Sequence, residues 1–301
     1  MTLTTLFSAP KPFSDPHIST IQRNAIQSWQ QLGSDIDIFL IGAEIGVEEV
    51  AAECHVAYIK EVDRNEQGTP LVSSIFAKAR QVSSSPLLSY VNADILLFPD
   101  FIDSVWCVKE HLDQFVMIGQ RWDLSVTALL DFSLGWEQRL RVEISERGKL
   151  HLPAGSDFFV FPREIFTEIP PFAIGRAGWD NWMIYHAIQN HWTVVDTTPS
   201  LTLVHQDHDY SHLPDGKPHY NHEESQQNIL LAGGANRIYT ILDSNKQLVN
   251  CKIRPPKFNL LRLSRRIENW LMSGDIQRSG SRWAIARLFR RWRRKKTGSL
   301  E

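Results

Sequence analysis

Apolar positions in the first half of the chain fall into short unbroken runs, separated by segments in which they recur every three or four residues. Leu3 to Phe7 reads as a strand, broken by Ser8-Ala9-Pro10-Lys11-Pro12 because proline fixes φ and removes a donor. Ile18, Ile21, Ala25, Ile26 and Trp29 share one face of a helix from about His17 to Leu32, with Gly33 as its stop. Asp37–Gly42 is a second strand, Val47–Cys54 a short helix and Val56–Ile59 a third strand. Asp63–Thr69 is a polar loop, and Pro70–Val82 is helical with proline at its start. Strands alternating with helices predict a parallel sheet covered on both faces.

The stretch Leu87–Asp100, LLSYVNADILLFPD, organises the rest. A strand buried in a parallel sheet reads as a continuous apolar run. A carboxylate inside such a run is costly to bury unless a cation or several hydrogen bonds compensate it. The strand is therefore expected to end near Val91, with Asn92 and Asp94 at its carboxyl edge, where open α/β sheets place ligands. Asn and Asp are also ordinary turn formers. Beyond this stretch the pattern gives a helix over Phe101–His111 and a strand over Phe115–Gln120. Across residues 121–155 the period is lost, save for RVEISERGKLHL, which suggests a hairpin turning at Arg147-Gly148. Ser156–Pro162 is a strand, Arg163–Glu168 starts a short helix, and Gly175–Gly178 is a flexible loop. A helix runs from Trp179 to about Asn190 with Asp180 at its N-cap or first turn, followed by strands at Trp192–Asp196 and Leu201–His205.

At 301 residues and 43% hydrophobic content the chain can bury a full core. Cys54, Cys107 and Cys251 are odd in number and widely spaced, which argues against a disulfide framework or thiolate metal site and for a reducing, cytoplasmic setting. The N-terminus lacks the marks of a signal peptide, and no stretch is long enough to span a bilayer. The overall charge of -2 conceals an asymmetry: residues 252–301 hold 15 Lys/Arg against 3 Asp/Glu. That split separates a domain over residues 1–250 from a basic amphipathic tail over 251–301 with an anionic partner.

Asn92-Ala93-Asp94 at a strand edge, the Gly-rich loop before Trp179-Asp180-Asn181-Trp182, and His205 after a late short strand line up in one order. Together they resemble the GT-A class of nucleotide-sugar-dependent glycosyltransferases (nucleotide-diphospho-sugar transferases), over about residues 1–245. The stretch HQDHDYSH followed by NILLAGG is similar to a group of bacterial glycosyltransferases of unassigned substrate. The resemblance implies a GT-A-like α/β fold, with a mixed, mostly parallel sheet flanked by helices and a basic helical tail. It implies that Asp94 and His205 hold a divalent metal, with Mn²⁺ ahead of Mg²⁺, and that Asp180 is delivered to the reaction centre. Asn at position 92 departs from the Asp-x-Asp pattern of the class.

The chemistry explains these residue types. Breaking a sugar–diphosphate bond develops charge on the leaving phosphate, which a cation offsets. The acceptor hydroxyl needs a base in reach, for which Asp180 is the candidate, with helix capping as its bland alternative. Pro10, Lys11, Glu44, Arg64 and Ser73 lie at predicted strand ends and, with Asn92, Asp94 and Lys217, are the expected donor-binding residues. Trp179, Trp182 and Asp157 are the expected acceptor-binding residues, one Trp as a sugar platform and the other as core. Removing Asp94 is expected to leave the metal-free fold intact. A nucleotide-sugar-binding protein without catalysis and a metal-dependent hydrolase using His205, Asp207, His208, Asp209 and His212 are the rival readings. In the tail, Leu260, Leu263, Ile267 and Trp270, and then Ile285, Leu288, Phe289 and Trp292, form apolar stripes opposite arginines. They read as helices on an anionic membrane surface, in reach of a glycan or lipid-linked acceptor, with a nucleic-acid arm ranked lower and packing of the first helix on the domain as the plain alternative.

Overall fold

The computed structural model describes residues 2–208, 222–272 and 280–297. The first half is β1 (Thr4–Ser8), α1 (Pro16–Gln30), β2 (Ile36–Ile41), α2 (Val47–Glu53), β3 (Ala57–Ile59), α3 (Val72–Val82), β4 (Leu87–Val91), β5 (Ile95–Leu97) and α4 (Asp100–Lys109). Then come β6 (Phe115–Ile118), β7 (Trp122–Leu124), α5 (Trp136–Arg147), β8 (Lys149–Leu150), β9 (Phe158–Pro162), α6 (Trp179–Gln189), β10 (Thr193–Asp196) and β11 (Leu203–Gln206). The chain closes with α7 (Glu223–Leu231), β12 (Lys246–Val249), β13 (Lys252–Arg254), α8 (Leu260–Leu271) and α9 (Ser281–Thr297).

Nine strands form one sheet in the order β13-β12-β10-β6-β9-β4-β1-β2-β3. It is parallel except where β9 runs against β4 and β6, and β13 against β12. This is the expected mixed, mostly parallel α/β architecture. Alternate residues of each strand enter opposite cores. Leu6, Leu40, Val91, Met117 and Val160 meet Trp29, Val50 and Phe101 on one face. Phe7, Ile41, Tyr90, Val116 and Phe159 meet Phe76, Trp179 and Met183 on the other. Local signals work as expected at α1, where Asp15 accepts from the Ile18 N–H at 2.8 Å and Pro16 opens the helix.

A second sheet, β5-β11-β7-β8, stands at the carboxyl end of β4. Its register sets His205 opposite Ile95 on one side and opposite Asp123 on the other. A late histidine is thereby carried next to the turn that holds Asp94.

Four expectations are corrected. Residues 136–147 form α5 rather than the first arm of a hairpin, because Trp136, Leu140 and Ile144 bury one helical face. No helix follows Arg163; Phe166 takes a positive φ of 53° and seats its ring among Phe161, His186 and Trp192. The Gly175–Gly178 loop is held, not loose: Arg176 pairs with Glu224 at 2.6 Å and the Ala177 N–H donates to Ser225 Oγ. The sheet also continues past position 250, since β13 pairs with β12, so the body ends near Arg254.

Cys107 and Cys251 form a disulfide across 144 positions of sequence, against the expectation of unpaired thiols. It fastens α4 to the turn between β12 and β13, and it removes the argument for a reducing compartment that rested on free cysteines. None of the described helices is long and apolar enough to cross a membrane. Closing so long a loop restricts the unfolded chain, and such bonds typically contribute about 2–4 kcal/mol. Reduction, or Cys251→Ser, should therefore lower the thermal midpoint by several degrees; an unchanged midpoint in calorimetry would show that the link carries no stability.

Candidate active site

The strand β4 ends at Val91, and a tight turn closed by Ile95 N–H to Asn92 O at 3.1 Å leads directly into β5. Asp94 sits in that turn with its side chain 13% exposed. Three nitrogens gather on its Oδ2: His208 Nε2 at 3.2 Å, Lys11 Nζ at 3.8 Å and His205 Nε2 at 3.9 Å. Its other oxygen, Oδ1, is buried with no hydrogen-bond partner. Burial works to raise the Asp94 pKa. The hydrogen bond from His208 and the charges of His205 and Lys11 outweigh it, holding the carboxyl well below the usual range. Burial likewise pushes the Lys11 ammonium down, against the pull of Asp94.

Asp94, His205 and His208 bring one carboxylate oxygen and two imidazole nitrogens within 4.8 Å of one another. An orphaned buried oxygen beside two imidazoles fits a first-row divalent cation, for which mixed N/O donors are suited. Asp94 and His205 were expected here; His208 completes the set. Asp209, His212 and Lys217, also singled out from sequence, lie outside the described residues.

His205 has carboxylates on its far side, and its Nδ1 is buried without a hydrogen-bond partner. Its Nδ1 faces Asp123 Oδ1 at 3.5 Å and Asp207 Oδ1 at 3.7 Å. Burial opposes its charging, but these carboxylates prevail and the pKa is held up at about 9. Asp123 is itself fixed by Arg121 at 2.9 Å and His151 at 2.7 Å. Arg121 also clasps Asp157 with one nitrogen, at 2.7 and 2.6 Å to its two oxygens. Asp157 accepts from Asn92 Nδ2 at 2.9 Å, and Asn92 Oδ1 accepts from the Tyr90 hydroxyl at 2.8 Å. Arg121, Asp123 and His151 were not found from sequence: the first two fall where no period is readable, and His151 at the end of the segment read as a hairpin.

This network explains the departure at position 92. An aspartate there would set a second carboxylate 2.9 Å from Asp157, whereas the amide donates to it. Asn92 thus braces the turn, and Asp94 alone turns toward the cation site. Asp157, expected to bind an acceptor, has both oxygens engaged and acts as part of the brace.

Asp180 lies in the first turn of α6, where the cap itself is Gly178 at φ 105°, a conformation that favours glycine. Burial pushes the Asp180 pKa up to about 6, with backbone N–H bonds opposing and the charge of Asp157 adding to the rise. Gly155 presses on this carboxylate so closely that a Cβ at 155 would collide with Oδ2. The pKa of the buried Tyr90 hydroxyl is raised first by burial and then by the charges of Asp94, Asp157 and Asp180.

One tryptophan was expected as core and the other as a sugar platform; only the platform is corrected. Trp179 and Trp182 are 5% and 7% exposed, Trp179 packed on Tyr90 and Phe159 and Trp182 on Phe172 and His186. Their rings are core, and neither is a sugar platform. Farther along the edge, Glu44 pairs with Arg64 at 2.8 Å while Glu44 Oε2 is buried with no hydrogen-bond partner. Pro10 is buried after β1, and Ser73 is partly exposed in the first turn of α3.

No family model matches the chain, and no curated protein matches it. Among solved structures, glucosyl-3-phosphoglycerate synthase from Mycobacterium tuberculosis with uridine diphosphate is 17% identical, with a TM-score of 0.49, over 85% of this chain and 90% of that one. The same enzyme with Mn²⁺, uridine diphosphate and glucosyl-3-phosphoglycerate is 15% identical, with a TM-score of 0.48, over 86% and 88%. With Mn²⁺, UDP-glucose and phosphoglyceric acid it is 16% identical, with a TM-score of 0.47, over 85% and 89%. At this distance the likeness assigns no substrate and no residue role to the chain.

The geometry argues against the expectation that losing Asp94 leaves the metal-free fold intact. Asp94→Ala removes the carboxylate shared by Lys11, His205 and His208, although Asp123 and Asp207 stay beside His205, and removing one member of a buried pair costs roughly 3 kcal/mol. Without metal the variant should melt well below wild type at pH 7. Mn²⁺ at 100 times its Kd should stabilise wild type by about 2.7 kcal/mol and the variant not at all. An equal Mn²⁺ shift in both, read by thermal denaturation, would remove Asp94 from the site.

Proposed function

We propose that the chain transfers a sugar, of hexose type, from a nucleotide-diphosphate donor to a hydroxyl acceptor with the help of a divalent cation. One observation carries this reading. A buried carboxylate with an orphaned oxygen meets two imidazoles at the carboxyl edge of a mostly parallel sheet, and the first turn of α6 holds a second buried carboxylate, Asp180, of raised pKa.

Asp94, His205 and His208 would hold the cation, which when bound offsets the charge developing on the departing diphosphate. Asp123 keeps the His205 ring turned toward the site, as carboxylates do behind metal-binding histidines. Lys11, beside Asp94, is placed for the phosphates. Glu44, with its unpartnered oxygen, Arg64 and Ser73 are placed along the strand ends for the nucleoside, and Pro10 shapes the turn after β1. Asp180 accepts the proton of the acceptor hydroxyl. A carboxylate with a pKa near 6 is ionised at neutral pH and still basic enough for that task. The basic tail, with its apolar side outward, supports an anionic membrane surface as the working place and a glycan or lipid-linked glycan as the acceptor.

Asp180→Asn tests the core of this reading. Transfer should fall by about two to four orders of magnitude with donor affinity kept. Because the folded-state pKa is raised, wild-type kcat should fall about tenfold per pH unit below roughly pH 6, and the variant should lose that limb. A variant that transfers normally would return Asp180 to a mere helix-start residue. Donor breakdown at equal rate with and without acceptor would favour hydrolysis, and donor recovered unchanged would favour a binding protein.

A further inference from the structure

The hairpin formed by α8 and α9 turns its charges inward. Arg262 donates to Asp196 Oδ2 at 2.6 Å and to Ser244 Oγ at 2.8 Å. Arg265 donates to Asp243 at 3.0 Å and to the Ile238 carbonyl at 2.7 Å. Glu268, 1% exposed, gathers Arg265 from its own helix and Arg290 and Arg293 from α9. The helices are thus held to the body and to each other by buried ion pairs, and the apolar stripes are left facing out. Leu260 is 60% exposed, Leu288 62% and Trp292 37%.

Between the stripes runs a groove of about 510 Å³ lined by Leu260, Leu263, Ile267, Ile285, Leu288 and Trp292, with Ser264 and Phe289 completing it. That volume lies in the range of small-molecule sites. Contiguous exposed apolar surface of this kind marks an interaction site. Beside it on α9, Arg291 and Lys295 lie one turn apart, both exposed, and Arg266 is exposed on α8, whereas Arg287 stacks over the Trp283 ring at 4.4 Å.

We propose that this groove is a hydrocarbon site that takes one acyl chain of an anionic lipid, with the flanking Arg291 and Lys295 on its headgroup phosphate. The proposal deepens, and rests on, the membrane reading of the tail. Charge selects the occupant. Residues 252–301 carry 15 basic against 3 acidic side chains, so a second copy would bring two strongly positive hairpins together. A nucleic acid would satisfy the arginines and leave the groove wet. An anionic lipid satisfies both at once.

The test uses the full chain without nucleotide sugar, so its outcome is independent of the transferase reading. Vesicles of phosphatidylglycerol, plain or brominated along the acyl chains, are compared with phosphatidylcholine vesicles. Brominated phosphatidylglycerol should quench tryptophan fluorescence, and Trp292→Phe should remove the larger part of the quenching. Leu288→Asp should weaken vesicle binding about tenfold, the loss of one buried leucine, with its unfolding midpoint unchanged. Arg291→Glu with Lys295→Glu should abolish binding. Pelleting with phosphatidylglycerol but no quenching by the brominated chains would overturn the groove and leave the membrane reading standing. Pelleting with neither lipid would overturn both. A dimer that Leu288→Asp dissociates would assign the groove to a second copy, and tight binding of an oligonucleotide that Leu288→Asp leaves unchanged would assign the tail to nucleic acid.

Discussion

A carboxylate buried at the end of a central strand is the constraint around which the site is built. Taken from water unpaired, Asp94 would cost more free energy than a fold of this size can lose. The surrounding side chains answer that cost only in part. Three nitrogens crowd Oδ2, while Oδ1 is left without a partner. A structure evolved for stability alone would satisfy both oxygens. That imbalance beside two imidazoles is the observation on which the proposed cation site rests, and it depends on Lys11, Asp94 and His205, so distant in sequence, being delivered to one point.

Delivery is the task of the small second sheet. The main sheet supplies rigidity, with β4 buried on both faces, but His205 arrives only because β11 pairs with β5 and β7. The same register places Asp123 behind it. Arg121 then ties this pair to Asp157, Asn92 and Tyr90 beneath the turn, so His205 and the turn that holds Asp94 rest on one hydrogen-bonded frame. Displacing Asn92 would disturb both.

How much of this was legible in the chain follows from the range of the forces involved. β1, β2 and β4 and their helices are written in local apolar period, and the structure reproduces them within a residue or two. Asp94 stood out because a charge interrupted an apolar run. Arg121, Asp123 and His151 did not, because their meaning comes from a register between strands β7, β8 and β11, and no local period announces it. The Cys107–Cys251 bond spans 144 positions and has no local signature at all. The glycine at 155 could not be read either, since its reason is a contact with Asp180 across the fold.

The tail shows a subtler limit. Its helical period was plain, and the wheel separated arginines from leucines correctly. Period cannot say which face turns inward. The usual rule would bury the leucines, and here Asp196, Asp243 and Glu268 reverse it by offering buried carboxylates to Arg262, Arg265, Arg290 and Arg293. Such pairs add little net stability compared with apolar packing, so stability alone does not account for the arrangement. Its other consequence bears on the proposal: with Arg262, Arg265, Arg290 and Arg293 turned inward, Leu260, Leu263, Leu288 and Trp292 are left exposed beside Arg291 and Lys295. An apolar surface edged by positive charge is the combination on which the proposed lipid site rests.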